Sequence, residues 1–182
     1  MKLDVEYELK FRVVAGDNLT PEEREGVIAL CNLAYDEDMG TVIDQFVGAM
    51  HVLGFYQGVP VCHALWITRY LQPEGSRPLR TAYVEAVATH PDYRGRGFAS
   101  AIMKQVVEEI QDFDIAGLAP FNADYYAQLG WELWRGAMYV RRDGGLLESP
   151  LEEHVMIHRL PRTPVLDLDG GISVEWREGE VW

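Results

Sequence analysis

The sequence has little cysteine and no long apolar run. Its 182 residues include two cysteines, Cys31 and Cys62, which are too few for a disulfide framework or a cysteine-rich metal cluster. No window reaches the roughly 18 consecutive apolar residues of a membrane helix, and the first residues lack the apolar segment of a signal peptide. We therefore expect a cytoplasmic protein with both thiols in its core, no bound metal and no membrane partner.

Positive charge is also scarce. Sixteen lysines and arginines stand against 29 aspartates and glutamates, and the formal net charge at pH 7 is -13. Nucleic acids and anionic membranes are bound by basic patches, so neither is an expected partner. A cationic ligand is compatible with this charge. In the segment from Asp143 to the C-terminus as a whole, acidic residues outnumber basic ones.

Length and composition predict one globular domain covering residues 1–182, because 48% of the residues are apolar and a quarter are charged. Alternating and helical apolar patterns follow one another along the chain, which is typical of a mixed α+β fold. The predicted helices lie at 20–34, 43–50, 99–110 and 122–129. The predicted strands lie at 5–14, 51–56, 61–67, 83–88, 115–119, 131–140, 154–160 and near the C-terminus.

The most informative segment runs from Tyr83 to Ser100. It is predicted to form a strand, a tight loop of sequence Arg94-Gly-Arg-Gly-Phe-Ala99, and an amphipathic helix. This order places glycine-rich backbone N–H groups at a helix N-terminus, where phosphate and pyrophosphate bind readily. Glu85 is the one carboxylate in the apolar strand before the loop. A phosphate-bearing cofactor beside a carboxylate base indicates an enzyme.

Two common phosphate-binding motifs do not fit this loop. A P-loop ends in Gly-Lys-Ser/Thr, whereas this loop ends in Gly97-Phe98-Ala99. A dinucleotide-binding fingerprint requires a third small residue where Ser100 stands, together with an acidic ribose ligand further on that is not evident here.

The loop resembles the acyl-CoA loop of the Gcn5-related N-acetyltransferases, whose pattern is Gln/Arg-x-x-Gly-x-Gly/Ala. A second family feature, Tyr-x-x-x-Gly-Phe/Trp, is matched downstream by Tyr126-Ala-Gln-Leu-Gly-Trp131. The resemblance implies a central mixed, mostly antiparallel sheet flanked by helices. It also implies acetyl-CoA as co-substrate.

Further motifs narrow the resemblance to the aminoglycoside 2'-N-acetyltransferases, from about residue 30 onward. They are Gly48-Ala-Met-His51, Tyr83-Val-Glu85, Trp134-x-Gly136 and the tail Glu175-Trp-Arg-Glu-Gly-Glu-Val-Trp182. The segment between Ile110 and Tyr126 is shortened, and several tail acids are Glu where the family often has Asp. These departures bear on how the substrate is placed.

The resemblance implies that acetyl is transferred to the 2'-amino group of an aminoglycoside by direct attack of the amine on the thioester. Glu85 is the candidate base, because large apolar neighbours on its strand raise the pKa of a carboxylate. Tyr126 is the candidate proton donor to the departing thiolate, since an un-ionised phenol donates a hydrogen bond. His51 and His63 are interpreted as structural, and no motif supports Cys62 as an acyl carrier.

The resemblance also implies binding residues and an assembly, a homodimer. The backbone of the Glu85 strand is expected to bind pantetheine through Val84, Ala86, Val87 and Ala88. The loop is expected to bind pyrophosphate through Arg94, Gly95, Arg96, Gly97, Phe98 and Ala99. The acidic tail, residues 143–182, is expected to complete a site for a cationic amine, which is lined by Asp38, Asp44, Glu85, Glu152, Glu178, Glu180 and the α-carboxylate of Trp182.

Two alternatives stay open at this point. The same chemistry could act on another amine, such as a cell-wall amino sugar, a polyamine or a protein amine. The chain could also bind acyl-CoA without turnover, although a mere binder has no need of Glu85 and Tyr126.

Overall fold

The structure is a computed structural model that describes residues 8–150 and 152–182. Residues 5–7 of the predicted first strand, 5–14, lie outside the described residues. The described helices are α1 (Pro21–Tyr35), α2 (Gly40–Gln45), α3 (Phe98–Glu109) and α4 (Ala123–Gln128). The described strands are β1 (Lys10–Ala15), β2 (Met50–Tyr56), β3 (Val59–Pro73), β4 (Leu79–Thr89), β5 (Ile115–Leu118), β6 (Glu132–Leu133), β7 (Met138–Arg142), β8 (Gly145–Glu148), β9 (Met156–Arg159) and β10 (Ile172–Glu175).

The chain divides into two compact units. The first contains the described residues up to Ile67 together with Ala86–Val106, and the second contains Thr68–Glu85 together with Val107–Trp182. Strands β3 and β4 therefore each contribute residues to both units. The boundary in β4 falls between Glu85 and Ala86, two residues that are consecutive in the chain.

The first unit is built on the antiparallel strands β1, β2 and β3. Two of its helices, α1 and α2, bury their apolar side chains in a core that includes Val27, Leu30, Cys31, Met39 and Ile43. The start of α1 is confirmed in detail. Thr20 Oγ1 accepts from the N–H of Glu23 at 3.1 Å and the Glu23 carboxylate accepts from the N–H of Thr20 at 3.0 Å, which satisfies two N–H groups that have no partner within the helix.

The second unit contains a mixed sheet in the strand order β6-β9-β5-β4-β3-β10-β7-β8. Strand β4 pairs with β5 and β10 pairs with β7 in parallel, whereas the β3–β10, β5–β9, β6–β9 and β7–β8 pairs are antiparallel. The expected α+β fold with a mixed, mostly antiparallel sheet is confirmed. Within residues 8–150 and 152–182, no helix combines the length and the hydrophobicity that crossing a membrane requires.

Two sequence-based element predictions are wrong in place or extent, and one strand was not predicted. The second helix covers Gly40–Gln45 rather than 43–50, and Met50 already begins β2. The strand predicted at 131–140 is two strands, separated where a Cβ on Gly136 would lie 1.8 Å from the carbonyl oxygen of Gly170. Strand β8 was missed because all four of its residues are exposed, so it has no buried face to produce an alternating pattern.

Candidate active site

The glycine-rich loop of the first unit has a backbone that requires glycine. Gly95 and Gly97 have φ angles of 77° and 79°, a region in which residues with a Cβ are strained. A Cβ built on either glycine meets no atom within 4 Å, so the space beside the loop is open. The loop leads into α3 at Phe98, and the first N–H groups of a helix have no carbonyl partner within it. This geometry fits a pyrophosphate.

The two loop arginines are both exposed but have different partners. A guanidinium nitrogen of Arg94 donates to the carbonyl of Ala34, near the end of α1, at 3.2 Å. The guanidinium of Arg96 lies over the ring of Tyr93, with its carbon 5.0 Å from the ring centre. Tyr93 also stacks on Phe98, at 6.3 Å between ring centres. Arg94 therefore braces the loop against α1, and Arg96 lies against the aromatic ring beside the loop.

Strand β4 changes its backbone conformation just before the loop. It pairs with β5 only over Thr81–Tyr83 but continues to Thr89. Ala86 has a φ of 49°, so the strand is not regularly extended between Glu85 and Val87. The carbonyl of Ala86 accepts from His63 Nδ1 at 2.9 Å, and that of Val87 accepts from the Tyr35 hydroxyl at 3.0 Å.

Glu85, in the second unit, has an ionic partner that the sequence analysis did not identify. Its Oε1 lies 2.6 Å from a guanidinium nitrogen of Arg177, and the two side chains are 17% and 21% exposed. Burial raises the pKa of Glu85, while the charge of Arg177 and its hydrogen bond oppose that rise. Arg177 keeps a mostly buried carboxylate available as an ion, and burial improves that ion as a base.

Arg69 anchors the C-terminal tail. Its side chain is 2% exposed, and its guanidinium donates to the Glu175 side chain at 3.1 Å, to the Glu175 carbonyl at 2.6 Å and to the carbonyl of Val181. Trp182 is 4% exposed, and its indole N–H donates to the hydroxyl of Ser149 at 2.7 Å. Arg69 and Ser149 therefore hold the residues from Glu175 to Trp182 against the second unit.

Two more oxygens belong to this group of residues. Among the described residues, Tyr83 Oη and Glu153 Oε2 are buried without a hydrogen-bond partner. The charges of Glu85, Arg69, Arg177 and Glu153 all act on Tyr83, whose pKa is raised mainly by burial. Burial also raises the pKa of Glu153, with further contributions from other carboxylates. We call the following five residues the Glu85 cluster: Arg69, Tyr83, Glu85, Glu153 and Arg177.

The acidic residues expected to bind the amine are distributed over both units. In the second, Glu152, Glu178 and Glu180 are exposed, and the charge of Glu180 acts on Glu85 and on Glu153. In the first, Asp38 Oδ1 accepts from the N–H of Gly40 at 3.0 Å, and the carboxylate of Asp44 pairs with Arg24.

Arg177, Tyr83 and Glu153 were not predicted as site residues from the sequence. Glu153 was passed over in favour of its exposed neighbour Glu152, because nothing in the local pattern distinguishes two consecutive glutamates. Arg177 was visible as the single basic residue within the acidic tail motif. That isolation was the one available signal.

Tyr126 lies on the short helix α4 and is 8% exposed. The helix is capped by Asn122, whose side chain accepts from the N–H of Tyr125 at 3.0 Å. The ring of Tyr126 meets that of Trp131 edge to face, with centres 6.2 Å apart. Burial raises the pKa of Tyr126 to about 12, so the phenol stays protonated and able to donate at neutral pH.

The two cysteines are free and buried, as expected. Burial raises the pKa of each thiol to about 12. The thiolate is the nucleophilic form, so this environment argues against Cys62 as an acyl carrier.

Comparison with known proteins agrees with this geometry. A sequence model of the acetyltransferase (GNAT) domain matches residues 17–134, which is more than half of the chain. The chain belongs to the GNAT acetyltransferases. Its match to an aminoglycoside 2'-N-acetyltransferase of Mycolicibacterium fortuitum has 30% identity over 178 residues, or 94% of this chain and 91% of that protein.

Solved structures show the same GNAT fold. The Escherichia coli GNAT family N-acetyltransferase YhbS, in complex with CoA, matches with a TM-score of 0.68 at 18% identity, over 98% of this chain and 94% of that one. A probable N-acyltransferase from Enterococcus faecalis, described as a conserved protein of unknown function, matches with a TM-score of 0.57 at 20% identity. That match covers 71% of this chain and 33% of the other, so this chain spans about one third of that longer protein.

Proposed function

We propose that this acetyltransferase moves an acetyl group from acetyl-CoA to the 2'-amino group of an aminoglycoside. The observation that carries the proposal is the match to the Mycolicibacterium fortuitum aminoglycoside enzyme, which extends over 94% of this chain. The formal charge of -13 and the carboxylates of the Glu85 cluster support a cationic substrate. An aminoglycoside carries several ammonium groups, which pair with carboxylates that are partly shielded from water.

The loop supports acetyl-CoA as the donor. The amides of Gly95–Ala99 and the side chain of Arg96 are assigned to a pyrophosphate at the start of α3, and YhbS, which has the same fold, was solved with CoA. Bound acetyl-CoA supplies an acetyl group activated as a thioester. The backbone of Val84 and of Ala86–Ala88 is assigned to pantetheine, with the N–H of Val87 directed at the thioester oxygen.

Glu85 acts as the base of the proposed reaction. The attacking amine has to lose a proton, and a carboxylate in water is too weak a base to take it efficiently. Burial strengthens the Glu85 carboxylate as a base, while Arg177 at 2.6 Å limits the rise in its pKa. A substrate ammonium group reaching Glu85 takes over part of the ion pairing that Arg177 supplies.

Tyr126 acts as the proton donor. Its phenol carries its proton over the whole physiological range because burial raises its pKa to about 12. A thiolate leaving group needs a donor that keeps its proton until the thiolate forms. The α-carboxylate of Trp182 and the side chains of Asp38, Asp44, Glu152, Glu178 and Glu180 are assigned to the remaining ammonium groups of the substrate.

The test compares matched aminoglycosides in a thiol-release assay with acetyl-CoA. Tobramycin, gentamicin and kanamycin B bear a 2'-amine, whereas kanamycin A and amikacin bear a 2'-hydroxyl. We expect turnover with the first group alone, together with mass spectrometry showing a single added acetyl group. Turnover of polyamines or other amines alone would contradict the substrate assignment, and acetyl-CoA binding without any turnover would favour a binding module.

A homodimer and a cytoplasmic location remain predictions. Light scattering on the purified chain measures the first, with a mass of twice 20.7 kDa expected. Cell fractionation measures the second.

A further inference from the structure

Two buried histidines connect the core of the first unit to the backbone of β4. His51 on β2 is 3% exposed and His63 on β3 is fully buried. Their strands pair so that Leu53 faces His63 and His51 faces Leu65, which puts the two imidazoles on a diagonal. His51 Nδ1 lies 3.0 Å from His63 Nε2, and His63 Nδ1 lies 2.9 Å from the carbonyl oxygen of Ala86.

The direction of these hydrogen bonds follows from the last acceptor. A carbonyl oxygen can only accept, so His63 Nδ1 carries a proton and donates it to Ala86. Burial lowers the pKa of His63 to about 3 and lowers that of His51, so both rings are neutral at pH 7. The Nε2 of a neutral His63 is then an acceptor, and His51 Nδ1 donates to it. The thiol of Cys31, with Sγ 3.7 Å from His63 Nδ1, lies beside this series of hydrogen bonds.

The carbonyl at the end of the chain belongs to a strained residue. Ala86 has a φ of 49°, a conformation that an alanine keeps only when surrounding contacts hold it there. Strain of this kind concentrates where backbone direction matters for function. The bond from His63 is a contact from the buried core that holds Ala86 in place.

The hydrogen bond that orients the Ala86 carbonyl also orients the N–H of Val87, which belongs to the same peptide unit. The peptide unit is planar and its C=O and N–H point in opposite directions. Because the Ala86 oxygen points to His63, the N–H of Val87 points away from that side. The bond from the Tyr35 hydroxyl to the Val87 carbonyl, at 3.0 Å, restrains the following peptide.

We propose that His63, oriented by His51, is a positioning residue for acetyl transfer: it locks the Ala86–Val87 peptide so that the N–H of Val87 faces the thioester oxygen. The inference rests on the proposed acetyl transfer but does not depend on which amine is the acceptor. His63 takes no part in proton transfer in this scheme, because its one ring N–H proton stays on Nδ1 and is hydrogen-bonded to the Ala86 carbonyl.

The test compares two variants of His63 with a control. His63→Leu removes the donor, while His63→Asn retains an N–H donor near the position of Nδ1. The control is Val52→Ala, because Val52 is also fully buried but points to the opposite face of β2 from His51. Thermal unfolding of all three variants separates loss of stability from loss of positioning.

We expect His63→Leu to lower kcat by about 10- to 100-fold, less than the roughly 100- to 1,000-fold loss found when a donor to a developing oxyanion is removed, because the Val87 N–H is displaced and not deleted. Its KM for the amine and its Kd for acetyl-CoA change by less than about threefold, and His63→Asn recovers at least about a third of the lost rate. Val52→Ala keeps kcat. An unchanged kcat in a folded His63→Leu variant, or an equal loss in Val52→Ala, overturns the proposal.

A second readout needs neither acetyl-CoA nor an acceptor. In the free protein, long-range proton–nitrogen NMR spectra show His63 protonated at Nδ1 at neutral pH, and the Val87 amide signal moves in His63→Leu but not in Val52→Ala. An Nδ1 that carries no proton overturns the proposal. If the wild-type enzyme acetylates no aminoglycoside with a 2'-amine, the proposed function is contradicted. This NMR readout, and thiol release with any amine that the enzyme does accept, still test the positioning role of His63.

Discussion

The two units build their candidate sites from different parts of the chain. In the first, the loop at Arg94–Ala99 depends on backbone geometry, with glycines at φ angles of 77° and 79° within three consecutive residues. In the second, the Glu85 cluster depends on side chains brought together from far apart, since Glu85 and Arg177 are separated by 92 positions. A site formed by one short segment can be recognised as a motif in the sequence. A site formed by tertiary contacts consists of residues that are far apart in the sequence and form no motif.

The difference also predicts how each site responds to substitution. A backbone site is sensitive to any Cβ that strains the loop, and its loss appears in cofactor affinity. A side-chain site is sensitive to single functional groups, and its loss appears in rate and pH dependence. Substitutions in the two units therefore have separable kinetic signatures.

Glu85→Gln is the largest expected effect. The amide retains the size of the side chain and a hydrogen bond with Arg177 but cannot take a proton at neutral pH. We expect kcat to fall by about 100- to 1,000-fold, within the usual range for a general base, with acetyl-CoA affinity unchanged in a calorimetric titration. Glu148→Gln, on the exposed strand β8, is the control. A loss of less than about threefold in Glu85→Gln would falsify the assignment of the base.

Gly97→Ala tests the backbone site. No atom lies near the added Cβ, so the cost is conformational, roughly 1–2 kcal/mol for an alanine at this φ. That energy corresponds to roughly a 5- to 30-fold weaker Kd for acetyl-CoA, with the pH profile unchanged. The control is Gly26→Ala in α1, where the Cβ also meets nothing within 4 Å and alanine suits a helix. Equal affinities in both variants would show that the loop conformation does not control cofactor binding.

The predictability of the two sites from sequence follows the same division. The loop, the start of α1 and the neighbouring strands β2 and β3 arise from residues close together in the sequence, so local patterns predict them. The partner of Glu85 does not, because pairing depends on how the tail returns to β4. The left-handed Ala86 was equally hidden, since an alanine within an apolar strand is expected to be extended.

The next prediction concerns the positive charge of Arg177 in the C-terminal tail. Replacing Arg177 with Met removes the positive charge that opposes the burial-induced rise in the pKa of Glu85, so that pKa increases. The enzyme is active with Glu85 ionised and loses activity as the pH falls through this pKa. The acid limb of kcat/KM therefore moves to higher pH, and activity falls most at the acid end of the profile.

The matched variant for this comparison is Arg177→Lys, which retains the charge and is expected to keep the acid limb near its wild-type position. Profiles are recorded with the same amine, so that the titration of the substrate itself cancels between variants. An acid limb at the wild-type pH in Arg177→Met would mean that the ion pair at 2.6 Å does not control the pKa of Glu85.

The smallest expected effect comes from moving the terminal carboxylate. Adding one alanine after Trp182 displaces the negative charge by one residue but leaves the indole free to donate to Ser149, a bond of 2.7 Å. A partly exposed charge pair contributes up to about 1 kcal/mol, or about fivefold in affinity. We expect KM for the amine to rise by up to that factor, while Kd for acetyl-CoA stays constant. An extension at the N-terminus is the control, and an unchanged KM in the C-terminal variant would remove the Trp182 carboxylate from the acceptor site while leaving the Glu85 cluster in place.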